Sequence, residues 1–208
     1  LGTDGGFAAA VVDLWLPRPT GMQRKLEVRR AQMASYAKHR EGITDLFERC
    51  ASGAITSAKF YEELPKHWDG KLGDRLQGDG WARQGKRANF RQLAKSFLKI
   101  VAASKSERDD VVREQIDYLH DQKNSARTSF LSEMLCLRFP KDYPVVNDPV
   151  KAYLKHIKFR APRGASEGAR YIDLAKKLRA SLQQNPDHPA KNIAELDTVI
   201  WLRFKKKK

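Results

Sequence analysis

Apolar residues recur at three- and four-residue spacing along most of this chain, and nowhere do they alternate over the length of a strand. Met22, Leu26, Val28, Met33 and Tyr36 mark one ragged face of a helix from Met22 to His39, in a segment of good helix formers. Gly42 is expected to interrupt it, after which Ile43, Leu46 and Phe47 repeat at helical spacing up to a turn at Ser52-Gly53. Thr56 or Ser57 is placed to cap a short helix that Pro65 ends. Asn89 to Ala103 is strongly amphipathic, with Phe90, Leu93, Phe97, Ile100 and Val101 on one face. Ser106, Glu107 and two aspartates put acid where the next helix begins; it continues through Val112, Ile116 and Leu119 and breaks near Lys123-Asn124-Ser125.

Ser125 or a neighbour then caps a helix carrying Phe130, Leu131, Met134, Leu135 and Leu137, apolar nearly all round and so expected to be the most buried. Phe139-Pro140 ends it, and Pro144 keeps Tyr143 out of the helical region. Asn147 or Asp148 caps the following helix, with Pro149 in its first turn. Val150, Tyr153, Leu154 and Ile157 face inward there, and Lys151 and Lys155 outward. Tyr171 to Leu182 and Ala194 to Phe204, the latter holding Trp201, complete the series. The pattern predicts an all-α, multi-helix globular domain of about eight helices. Residues 1–20 read as a linker or docking segment, 21–105 as an N-terminal helical part, and 106–208 as a C-terminal helical part with a basic tail.

Between the short helix and Asn89 lies a long irregular stretch, 67–85, with five glycines in nineteen residues and Trp68 and Trp81 near its ends. Loops of this length in compact domains are often functional or mobile. Its tryptophans either pin it to the core or offer a ring on which a base can stack.

Charge changes the picture most. The 208 residues hold 40 Lys and Arg against 25 Asp and Glu, a net charge of +15 that points to a polyanionic partner, nucleic acid above all. The excess is blocked rather than even. Residues 81–105 carry seven cations (Arg83, Lys86, Arg87, Arg91, Lys95, Lys99, Lys105) and no acid, whereas 107–121 carry six acids and two cations. Arg91, Lys95 and Lys99 recur every four residues, a pitch that can follow a phosphate backbone or simply make a solvated face. Lys151, Lys155, Lys158, Arg160 and Arg163 form a second basic run.

Other chemistry is sparse. Cys50 and Cys136 sit in apolar helical contexts without metal-ligand spacing and read as reduced core thiols. The five histidines show no zinc pattern, and no phosphate loop or nucleophile elbow occurs, so no cofactor or metal is expected. Asp69, Asp74 and Asp79 in the glycine-rich stretch lack the order of a calcium loop and the strand-borne acid pairs of common nucleases. With no secretory leader and no apolar run of about 18 residues, the chain is expected to be cytoplasmic and without a membrane partner. Its start at Leu1 and glycine-rich opening read as one part of a longer polypeptide, whose other domains are candidate partners.

The order apolar helix, Phe139-Pro140, Tyr143-Pro144-Val145, Asn147, helix, and a last helix with Leu196-Asp197 and Trp201 resembles helical domains of bacterial restriction and DNA-processing proteins, distantly similar to the helix-hairpin-helix DNA glycosylases. The resemblance covers residues 126–204. In glycosylases of the endonuclease III kind a Val-Asp-x-x-Val segment supplies the catalytic carboxylate. The corresponding residues here are Val146-Asn147-Asp148-Pro149-Val150, so Asn147 stands in the acid's place and Asp148 follows it. The glycine hairpin that grips phosphate and the four-cysteine cluster site of that family are missing. The resemblance therefore implies binding without catalysis, with Asn147 and Asp148 either as helix caps or as residues aimed at a nucleotide.

These readings converge on a non-catalytic DNA-targeting module that takes phosphates through Arg83, Lys86, Arg87, Arg91, Lys95 and Lys99 and through the run from Lys151 to Arg163, with Trp68 and Trp81 as base-contacting candidates. A structured-RNA binder, a nuclease or glycosylase, and a protein-interaction scaffold are the alternatives.

Overall fold

The computed structural model describes residues 21–67 and 87–205. The glycine-rich stretch from Trp68 onward, with Trp81, Arg83, Lys86 and Asp69, Asp74 and Asp79, lies outside the described residues, as do residues 1–20 and the last three lysines. Among the described residues there are nine α-helices, one 3-10 turn and no strand. The helices are α1 Met22–Lys38, α2 Arg40–Ser52, α3 Ser57–Glu63, α4 Phe90–Ala102, α5 Arg108–Asp121, α6 Ser129–Arg138, α7 Asp148–His156, α8 Glu167–Gln184 and α9 Ile193–Phe204. No described helix is long and apolar enough to cross a membrane.

The contacts group the described chain into two units, one drawing on 21–31, 132–165 and 173–205, the other on 32–67, 87–131 and 166–172. The core of the second is a chain of aromatic rings. Phe47 of α2 lies 4.9 Å from Phe60 and 4.4 Å from Phe97, Phe60 lies 5.0 Å from Phe90, and Phe90 meets Phe130 edge-on at 5.3 Å. Each such pair contributes about 0.5–1.5 kcal/mol beyond the area it buries. Cys50, fully buried beside this cluster's helix, is a free thiol whose pKa burial pushes up to about 11. The core of the first unit gathers Leu26, Tyr153, Leu178, Ile193 and Val199 from α1, α7, α8 and α9.

Gly42 does not interrupt a helix. The break falls at His39, and Gly42 sits inside α2, where a Cβ would come within 3.2 Å of the His67 ring. The missing side chain makes room for the 3-10 turn Leu64–His67 rather than ending α2. Gly53 does end it, at φ 88 with its N–H donating to the Cys50 carbonyl.

Two further differences have one kind of cause. On α1 the buried face is Met22, Leu26, Arg29, Gln32 and Tyr36, while Val28 is exposed, so a buried cation occupies a position the apolar pattern gave to valine. Helix α8 begins at Glu167, four residues ahead of the predicted Tyr171. Its start is held from a different helix: Asp117 of α5 accepts from the Gly168 N–H at 2.7 Å and from the Ser166 hydroxyl at 2.6 Å. Ser166 in turn accepts from the Ala169 N–H at 3.1 Å. Both differences depend on residues distant in sequence.

Candidate nucleic-acid interface

In the second unit Asn89 caps α4 by accepting from the Gln92 N–H at 3.1 Å, which fixes where the helical register begins. Phe90, Leu93, Phe97 and Ile100 are then buried, and Arg91, Lys95 and Lys99 fall on the exposed side. Arg91 has a structural task. Its Nη2 donates to the Ser52 carbonyl at 3.2 Å and its Nε to that of Ala51 at 3.5 Å, placing a cation on the last carbonyls of α2. The guanidinium lies over Gly53, where a Cβ would approach it to 3.0 Å. Lys95 and Lys99, one and two turns further, make no ion pair or side-chain hydrogen bond among the described residues, and Arg87 and Lys105 are exposed.

No carboxylate of the acidic helix α5 pairs with Lys95 or Lys99 among the described residues. Asp110 faces Arg113 at 3.3 Å, and Asp117 serves the start of α8. Glu167, the first residue of α8, meets His120 at 2.8 Å and Arg127 at 3.2 Å beside a shallow cleft of about 470 Å³ lined by His120, Asp121, Lys123 and Arg127.

In the first unit the proline-rich elbow is firmly held. The Ser132 hydroxyl accepts from the Val146 N–H at 2.9 Å, the Pro140 carbonyl accepts from the Ala194 N–H at 3.0 Å, and Arg179 donates to the Asp142 carbonyl at 3.3 Å. Tyr143 and Val145 are buried. Asn147 then caps α7, its Oδ1 accepting from the Val150 N–H at 3.1 Å. Asp148 points into solvent, its side chain 86 % exposed and 3.7 Å from the Lys151 ammonium. Replacing Asn147 by alanine is expected to destabilise the fold by about 0.5–2 kcal/mol, the ordinary cost of a lost cap, and to leave nucleic-acid affinity unchanged. A urea titration beside a binding curve checks both, and an affinity loss at unchanged stability would return Asn147 to the site.

Beyond the cap, Lys151, Lys155, Lys158, Arg160 and Arg163 are all exposed. Between Asp148 and Glu167 the sequence has no carboxylate. Helix α7 ends in a turn where the Phe159 N–H reaches back to the Leu154 carbonyl at 2.9 Å and Lys158 takes φ 53. Glycine is the residue favoured there. A lysine in that left-handed conformation costs about 1–2 kcal/mol, and its side chain adds a cation to the exposed row. Phe159 turns inward instead, under the Lys177 ammonium at 5.1 Å.

Of the sequence-predicted cations, the structure thus sets Arg87, Arg91, Lys95 and Lys99 in the second unit and the five from Lys151 to Arg163 in the first. One grouping was missed. Trp201 of α9, read only as a residue of the last helix, is 36 % exposed, with the Lys205 ammonium 4.4 Å and the Lys25 ammonium 5.9 Å from its ring centroid. The visible signal was a tryptophan one turn before a run of four lysines; the part played by Lys25, far off in sequence, had none.

Among the described residues no group of three or more His, Cys, Asp or Glu side chains is placed to hold a metal ion. His188 is buried, and desolvation lowers its pKa to about 4, so it is a neutral packing residue near neutral pH. The chain matches no family model, no curated protein and no solved structure.

Proposed function

We propose that this chain is a nucleic-acid-binding helical module, the DNA-targeting part of a bacterial restriction, defence or DNA-processing protein, and that it acts without chemistry of its own. The observation that carries this reading is the row of five exposed cations from Lys151 to Arg163 in a stretch without a single carboxylate. An ordinary solvated face interleaves both signs; here the acid that precedes the run in sequence, Asp148, lies 3.7 Å from Lys151. Lys95 and Lys99 supply a second such row on the other unit. The resemblance of the elbow to DNA-processing helical domains supports DNA as the polyanion. The use of Asn147 as a cap, where the glycosylases have their acid, supports binding without base removal.

Binding of the purified chain to a labelled random duplex, titrated over salt, tests the proposal. Each phosphate contact is expected to add about −0.9 to the log–log slope. Replacing Lys151, Lys155 and Lys158 together by alanine should flatten the slope by about 2.7 if all three engage phosphate, and Lys95 with Lys99 by correspondingly less. Matched duplex RNA separates the RNA alternative. Absence of binding to duplex and single strand alike at low salt, or a slope indifferent to these lysines, would sink the reading.

A further inference from the structure

At one end of the first unit two helix C-termini meet. The Phe204 ring near the end of α9 lies 5.5 Å from His156 and 5.7 Å from Tyr153, so the last turn of α7 abuts that of α9. Every residue from 193 to 200 is buried, and Leu202 and Phe204 pack against the same core. Trp201 alone in this stretch of apolar residues is turned to solvent, and two ammonium groups stand over it. Arg24 and Arg203 are exposed as well, and no carboxylate follows Asp197 in the sequence.

Cations at a helix C-terminus answer the helix dipole, which accounts for Arg203 and Lys205. It does not account for Lys25, brought from α1, or for an indole left exposed where its neighbours are covered. We propose that Trp201 is a stacking platform for an unpaired base, with Lys25 and Lys205 taking the flanking phosphates, so that this end of the unit binds single-stranded nucleic acid. The proposal rests on the nucleic-acid reading above and assigns the strand state that reading leaves open. An indole offers its π-face to any base, and one stacked base contributes about 1–3 kcal/mol. The lysine stems are flexible enough for their ammonium groups to pass from the ring to phosphate oxygens as the base arrives. A base-paired strand keeps its bases inside the stack and must unstack to use such a platform. An anionic membrane is the other polyanion suited to tryptophan and lysine. It needs a broad apolar face, and here Leu202 and Phe204 are engaged in the core.

The test is fluorescence anisotropy of the full chain with a labelled oligothymidylate and with a duplex of equal length, for the native protein, Trp201→Ala and Trp201→Phe. Trp201→Ala is expected to weaken oligothymidylate binding about tenfold or more, within the range of one stacked base, and to leave duplex binding unchanged. Trp201→Phe keeps a ring and should keep most of the affinity, which separates stacking from any disturbance of the fold. Equal losses on both ligands, or no loss on either, overturn the platform while the nucleic-acid reading stands. Native protein that binds duplex but not oligothymidylate does the same. Failure to bind any nucleic acid removes both. Trp201-dependent binding to phosphatidylserine vesicles, without oligothymidylate binding, overturns the platform in favour of a membrane surface.

Discussion

Arg29→Met is expected to destabilise the protein by about 3–5 kcal/mol, the cost of stranding one partner of a buried ion pair. Arg29 is 1 % exposed, and its guanidinium ties α1 to two other helices, α6 and α9. Nη1 donates to Glu133 Oε1 at 3.2 Å on α6, Nε to the Ala194 carbonyl at 3.1 Å on α9, and Nη2 lies 3.4 Å from Cys136 Sγ. Methionine fills much of the volume but leaves the buried Glu133 carboxylate, 7 % exposed, without this cation. Against a typical total stability of about 5–15 kcal/mol, that loss is a large fraction. Arg29→Met combined with Glu133→Leu should recover most of it, because replacing both members of a buried pair is often neutral or stabilising. Urea titrations of the two single variants and the double variant give the coupling. A double variant no more stable than Arg29→Met would mean that the charge pair is not what Arg29 supplies. The exposed pair Arg49 and Asp45, at 3.7 Å, makes the contrast: removing it should cost no more than about 1 kcal/mol.

Arg29 also shows where reading the sequence reaches its limit. Positions 22, 26, 29, 33 and 36 form one helical face, and the chain is helical across them, but the residue at 29 is charged and the nearest apolar neighbour on paper is Val28. Only the arrival of Glu133, more than a hundred residues away, makes arginine the inward residue. The helices themselves were legible because their signals are local. Thr56, Asn89 and Asn147 each cap the helix that begins beside them, and Gly53 closes α2 in the left-handed conformation. The buried character of α6 was legible too, since every residue from 131 to 137 is covered, Ser132 and Glu133 included. The candidate interface divides along the same line. The rows Arg91, Lys95, Lys99 and Lys151, Lys155 follow from helical pitch and were found. That Arg91 is engaged on the end of α2, and that Lys25 stands over Trp201, follow from tertiary packing and were not. Gly42 and Gly168 make the point from the opposite side: both sit inside helices, where a glycine with no local purpose reads as a break.

Gly168→Ala is expected to cost about 2–4 kcal/mol, by overpacking together with the loss of a helix cap. In isolation the substitution favours the helix, by about 0.8–1.0 kcal/mol of intrinsic propensity, so its sign depends on the surroundings. A Cβ at 168 would collide with the Arg113 carbonyl oxygen and lie 2.8 Å from its carbonyl carbon and 2.9 Å from its Cα. These are backbone atoms in the middle of α5 and cannot swing aside as a side-chain tip can. The start of α8 must therefore move away from α5. That motion pulls the Gly168 N–H and the Ser166 hydroxyl off Asp117, to which they are held at 2.7 and 2.6 Å. It also separates Glu167 from His120 and Arg127. Asp117→Ala removes the same anchor without the collision and should cost less, about 0.5–2 kcal/mol. Because both variants release the same contact, Gly168→Ala in the Asp117→Ala background should lose less than the sum of the two single losses. Thermal or urea unfolding of the three variants measures this, and Gly168→Ala as stable as the native protein would show that α8 does not approach α5 this closely. At Gly21 and Gly164, where φ is 76 and 72 and no atom lies within 4 Å of the added Cβ, alanine meets backbone strain alone. The three glycines thus answer to two different constraints, and only at Gly168 does the constraint hold together the helix start on which Glu167, His120 and Arg127 converge.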